Sequence, residues 1–97
     1  MASLSRLLKT QREQILAAAE RHGALSIRVF GSVAEGTASE TSDIDFLVEM
    51  SDDSTLFDRA ALVVELRRLL GRDVDVVTEK ALKPRIRSQV VREAVAL

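Results

Sequence analysis

Along the opening segment, apolar residues recur at helical spacing. Leu4, Leu7, Leu8, Ile15, Leu16, Ala18 and Ala19 fall near one stripe, which predicts an amphipathic helix from Ser3 to His22. Ser3 or Ser5 is placed to cap its start, and Gly23 to end it. His22 beside that end reads as a partner of the helix dipole or a solvated residue, ahead of a catalytic role. The period then shortens to two. Ile27 and Val29 alternate with Arg28 and Phe30, so Ser26 to Phe30 reads as a strand, with Phe30 able to cover its second face. Ser32 to Ser42 is small and polar and reads as a loop, with a helical turn able to start at Ser32.

Asp43 to Glu49 is the second predicted strand. Ile44, Phe46 and Val48 share one face, and Asp43, Asp45, Leu47 and Glu49 the other. Ser51 to Ser54 is an acidic turn that ends in a capping residue. Leu56 to Leu70 follows as a helix with Phe57, Ala60, Ala61, Val64 and Leu70 as its core positions. Asp58 in its first turn and Arg67 and Arg68 in its last suit the macrodipole, and Gly71 ends it. Asp73 to Thr78 is the third strand. Pro84 then suits the first turn of a last helix, whose core face holds Ile86, Val90, Val91, Ala94 and Val95. The order is α-β-turn-β-α-β-α. It predicts a small mixed α/β (α+β) domain spanning residues 1–97, with about three strands and helices packed on them.

Composition narrows the function class. The apolar share of 46% is enough for a real core. A formal net charge of −1 gives no electrostatic case for a dedicated nucleic-acid binder. There is no cysteine and a single histidine, which leaves out disulfides and thiolate sites and argues against zinc. The N-terminus lacks the apolar core of a signal peptide, and no apolar run would span a bilayer, so a soluble cytoplasmic protein is expected. Lys83, Arg85, Arg87 and Arg92 form a basic segment, read as a solvated helix face or a contact for RNA or an acidic partner.

The candidate chemistry lies in VFGSVAEGTASETSDIDFLVEM, Val29 to Met50. Asp43 and Asp45 are two apart on a strand, so they project to one face. Asp75, in the run Val74 to Val77, would join them from a neighbouring strand about 4.8 Å away. Three bare carboxylates repel one another, and divalent cations relieve that repulsion. Oxygen-only donors favour Mg²⁺ or Mn²⁺, and a pair of ions would serve both oxygens of a phosphoryl displacement. Asp73 points to the same face as Asp75 and is an alternative ligand; Glu49 lies farther along and reads as surface. Gly31 lets a phosphate chain approach the backbone, and Ser32 adds a hydroxyl and free amides, a natural anion site. For these residues to meet, the first two strands must be antiparallel and the second and third parallel, with Leu56 to Leu70 as the crossover.

Gly31-Ser32, the gap containing Gly36, Ser42-Asp43-Ile44-Asp45 and Val74-Asp75-Val76-Val77 together resemble the nucleotidyltransferase fold of the DNA polymerase β superfamily. Within it the chain is similar to the minimal nucleotidyltransferases (MNT), antitoxins paired with a HEPN-domain ribonuclease toxin in type VII systems. The resemblance implies that Gly31 and Ser32 hold the β- and γ-phosphates of ATP. It implies that Asp43, Asp45 and Asp75 are catalytic and bind two Mg²⁺ ions, Asp75 also helping to deprotonate the acceptor. The implied reaction transfers AMP from ATP to a tyrosine hydroxyl of the toxin, within a hetero-oligomer. Two other readings stand beside it: an antitoxin that neutralises by binding alone, and a small-molecule, aminoglycoside-type nucleotidyltransferase. One departure is that Val33 and Glu35 stand where many relatives carry arginines, with Arg28 available to compensate.

Overall fold

The computed structural model describes residues 4–31 and 43–97. Helix α1 (Leu4–Thr10) and helix α2 (Arg12–Arg21) lead into strand β1 (Ala24–Phe30). Strand β2 (Ile44–Met50), helix α3 (Leu56–Leu70) and strand β3 (Val74–Thr78) follow. A short 3₁₀ turn (Glu79–Ala81), helix α4 (Pro84–Glu93) and strand β4 (Val95–Ala96) complete the order.

The sheet runs β3-β2-β1-β4. Strands β1 and β2 are antiparallel, and β2 and β3 are parallel, as the site argument requires. The expected three strands become four, because the chain after Glu93 leaves the helix and Val95 pairs with Val29 on β1. Val95 is therefore not a helical core residue; it is 53% exposed on an edge. Ile86, also expected in the core of the last helix, is exposed, while Val90 is buried.

The single helix predicted for Ser3 to His22 is interrupted at Gln11. The Thr10 hydroxyl donates to the Arg6 carbonyl at 2.9 Å, a back-bond that bends helices. Of the predicted stripe, Leu8, Ile15, Ala18 and Ala19 are in the core, with Leu16 packed against it; the side chains of Leu4 and Leu7 lie outside what is described. Helix α2 packs on β1 and on α3, and α3 packs on β3, so both cover one face of the sheet. Ile27, Val29, Ile44, Phe46, Val48, Val74 and Val76 line that face. Leu47 and Val90 are buried apart from this cluster, and strand alternation places Leu47 on the second face.

On α3 the expected core stripe is mostly wrong. Leu62, Leu66 and Leu70 are buried, whereas Ala60 and Ala61 are exposed, and so are Phe57 (86%) and Val64 (49%). Apolar residues occupy nearly every side of this helix, so periodicity alone did not select the buried one.

The turn before α3 is capped by Thr55, one residue beyond the predicted acidic turn. Thr55 Oγ1 accepts from the Asp58 amide, and Asp58 Oδ2 accepts from the Thr55 amide at 2.8 Å, a full capping box. Ser54 Oγ instead donates to the Ser51 carbonyl. Thr55→Ala is expected to lower stability by about 1 kcal/mol, read from urea denaturation. At the far end, Gly71 takes φ +66° and its amide donates to the Arg67 carbonyl.

Arg21 and His22 at the end of α2 share one carboxylate on α3. Arg21 pairs with Glu65 Oε1, and His22 Nε2 lies 2.9 Å from Glu65 Oε2. Partial burial raises the Glu65 pKa, but the Arg21 and His22 hydrogen bonds outweigh it and hold the group below its ordinary value. A lowered folded-state pKa means this contribution is present above the unfolded value and fades as pH falls through the folded one. Arg21 is mostly exposed, so solvent screens the pair. Glu65→Gln should cost less than about 1 kcal/mol at pH 7 and nothing well below pH 4. Thermal melting of both proteins at the two pH values measures the difference.

Candidate functional site

The candidate residues meet where β1 ends and where β2 and β3 begin. Phe30 of β1 pairs in register with Asp45, and Asp45 pairs with Asp75. On neighbouring strands, these two aspartates lie about 4.8 Å apart at the backbone and project from the same face. Asp43 sits just before β2, exposed. The Ile44 amide donates to the Asp73 carbonyl at 3.0 Å, which locks the starts of β2 and β3 together.

Electrostatics report the same crowding. Partial burial raises the Asp45 pKa above its ordinary value, and the charges of Asp75 and then Asp43 push it further up. Asp75 and Asp73 are both exposed. Asp75 pairs with Asp45, whereas Asp73 lies just before β3.

Gly31 closes the site from the side of β1. It takes φ +72°, and a Cβ built there would stand 2.6 Å from Asp45 Oδ2. Glycine is thus needed twice, for the backbone turn and for the space beside the carboxylate.

Other expected residues stand elsewhere. Ser32, Val33, Glu35, Gly36 and Ser42 lie outside the described residues. Arg28, the candidate to compensate Glu35, donates to Glu79 Oε1 at 3.0 Å. Arg87 of the basic segment donates to the Leu82 carbonyl and buries its Nε, so it serves the fold, while Lys83, Arg85 and Arg92 are exposed. A cleft of about 560 Å³ opens at the other end of the sheet, lined in part by Leu25, Glu49, Met50, Thr78 and Glu79. Met50 is five residues along β2 from Asp45, about 16 Å. That cleft and the carboxylate row share no residue.

Among the described residues, no three Asp, Glu, His or Cys side chains are already grouped so as to hold a metal ion. The chemistry of the row still fits one. Its donors are all carboxylate oxygens, suited to a hard divalent cation. The unfavourable ionisation of Asp45 is what a cation between Asp45 and Asp75 would relieve.

With this geometry, the protein is an α/β nucleotidyltransferase-type domain with an acidic row at the mouth of its sheet. Residues 12–97 match the family described as "Nucleotidyltransferase domain", and the chain belongs to that family. It is similar to Protein adenylyltransferase MntA of Thermococcus cleftensis, 42% identical over 76 residues, or 78% of this chain and 77% of the relative. A candidate protein adenylyltransferase of Methanocaldococcus jannaschii is 40% identical over 75 residues, covering 77% of this chain and 81% of its own. The solved structure of a candidate minimal nucleotidyltransferase superposes with a TM-score of 0.88 at 49% identity, over 96% of this chain and 95% of that one. A toxin-antitoxin crystal structure with AMP-PNP superposes with a TM-score of 0.73 at 28% identity, over 87% of this chain and 69% of that one. The chain is therefore a minimal nucleotidyltransferase of the kind found in toxin-antitoxin pairs. Among the described residues, no helix is long and apolar enough to cross a membrane.

Proposed function

We infer that the protein transfers AMP from ATP to a tyrosine hydroxyl of a partner HEPN-type toxin and so acts as its antitoxin. One observation carries the reading: Asp45 and Asp75 stand side by side in register, with Gly31 pressed against Asp45. The likeness to an MntA adenylyltransferase and to a toxin-antitoxin structure holding AMP-PNP supports both the nucleotide and the kind of partner.

In this reading, Asp43, Asp45 and Asp75 hold Mg²⁺, or Mn²⁺, which when bound offsets negative charge on the α-phosphate and the leaving pyrophosphate. The bare backbone at Gly31 and the hydroxyl of Ser32 take the β- and γ-phosphates. Asp75, exposed at the strand edge, accepts the proton of the attacking tyrosine hydroxyl. The tyrosine oxygen bonds to the α-phosphorus while the bond to pyrophosphate breaks. The product is tyrosyl-AMP on the partner, which removes the free phenol.

Incubation with α-labelled ATP, Mg²⁺ and the cognate toxin tests this. Label should appear on the toxin and map to a tyrosine by peptide mass spectrometry. Absence of label with the wild-type pair, across all four nucleoside triphosphates, would contradict it. Toxin neutralisation without label would instead mean inhibition by occupancy.

A further inference from the structure

We propose that the outer face of α3 is a self-association surface on which two copies of this chain pair their α3 helices antiparallel about a two-fold axis. Phe57, Ala60, Ala61 and Val64 recur at three- and four-residue steps and form a continuous ridge. That ridge lies opposite the buried Leu62, Leu66 and Leu70. It faces solvent: Phe57 is 86% exposed, its neighbour Leu56 75%, and Val64 49%. Three of the six large exposed apolar residues among the described residues belong to this one helix. Such concentration marks a contact surface, since scattered apolar residues need no partner.

The charges at its two ends select the occupant. Asp52 and Asp53 are exposed just before the helix, and Arg67 and Arg68 are exposed in its last turn. None of the four has an ion-pair partner among the described residues. An antiparallel second copy brings the acidic end of one helix to the basic end of the other, twice, by symmetry. One register brings the two ridges together. Ala60 crosses Ala61 of the other copy at the axis, where small side chains allow close approach. Phe57 then lies over Val64, and Arg68 reaches Asp53. The two helix dipoles also oppose each other favourably. A parallel pairing would instead place like charges together at both ends. A single helix-on-helix contact falls at the low end of interface sizes, below about 1,200 Å², so a weak dimer is expected.

Sedimentation equilibrium from about 5 to 500 µM tests the proposal without reference to nucleotidyl transfer. The wild type should shift from monomer to dimer across this range. Phe57→Ser, at an exposed position, should keep the circular dichroism and melting of the wild type while weakening association at least tenfold. Arg68→Asp and Asp53→Arg should each weaken it by a similar factor, and the double charge reversal should restore it. A wild type that stays monomeric at 500 µM overturns the proposal. So does a dimer indifferent to Phe57→Ser, or one that the double reversal fails to rescue. If Phe57→Ser reduces binding of the toxin and leaves self-association unchanged, the face belongs to the toxin and the proposal fails.

Discussion

Asp45→Asn is expected to abolish nucleotidyl transfer, by about 10³-fold or more in kcat, while leaving the fold at least as stable as the wild type. The two halves of this result have one origin. Asp45 is the middle carboxylate of the row, partly buried and pressed by Asp75 and Asp43, so its pKa is raised in the folded protein. A raised folded-state pKa helps folding below the unfolded value, and that help is lost as the pH climbs through the folded one. At pH 7 the ionised group opposes the fold unless a cation stands beside it. Asparagine keeps the shape and removes the opposing charge, so melting without divalent ions should occur at or above the wild-type temperature. It also removes an anionic ligand, and an interaction of several kcal/mol with the reacting phosphate corresponds to the stated loss. Mg²⁺ should raise the melting temperature of the wild type and leave the variant unmoved, because only the native site binds it. Transfer at wild-type rate by Asp45→Asn would remove Asp45 from the chemistry.

The second large effect is expected at Gly31. An alanine there must take φ +72° and put a methyl 2.6 Å from Asp45 Oδ2. The backbone strain alone is worth about 1–3 kcal/mol. The clash also forces Asp45 or the end of β1 to move. A displacement of 1 Å at a reacting centre is worth about 10²-fold in rate. Gly31→Ala should therefore lose both stability, by urea denaturation, and kcat, by initial rates, at saturating ATP. Gly71→Ala is the internal comparison. It shares the positive φ, but nothing lies within 4 Å of its added Cβ. It should lose stability only.

The layout of the candidate site was legible because a strand has a fixed period. Gly31-Ser32 at the end of one strand, Asp43 and Asp45 at the start of the next and Asp75 near the start of the third could meet only with β1 antiparallel to β2 and β2 parallel to β3, which is the observed pairing. The contest between Asp73 and Asp75 could not be decided from spacing, since both point to the same face. Register sets Asp75 beside Asp45 and the Asp73 carbonyl on the Ile44 amide, and register is a property of two strands together. What the sequence concealed lay where apolar residues are plentiful. On α3, apolar side chains on nearly every side left the buried stripe undetermined, and Phe57 was assigned to the core although it faces water. At Val95, helical spacing continued past Glu93, but pairing with Val29 on β1 drew the chain into an edge strand. The break at Gln11 coincides with a hydrogen bond from the Thr10 hydroxyl to the Arg6 carbonyl, which no hydrophobic pattern encodes.

In the proposed reaction a divalent cation and the nucleotide sit at the shared mouth of β1, β2 and β3. Titrating Mn²⁺ with a non-hydrolysable ATP analogue into the isotope-labelled protein, and following paramagnetic broadening of backbone amides, locates the cation directly. At substoichiometric Mn²⁺ the amides of Gly31, Asp43, Asp45 and Asp75 should broaden first and most, and those of Leu25 and Met50, at the far ends of β1 and β2, last. Broadening centred on Leu25 and Met50, or none at any amide, would contradict that placement.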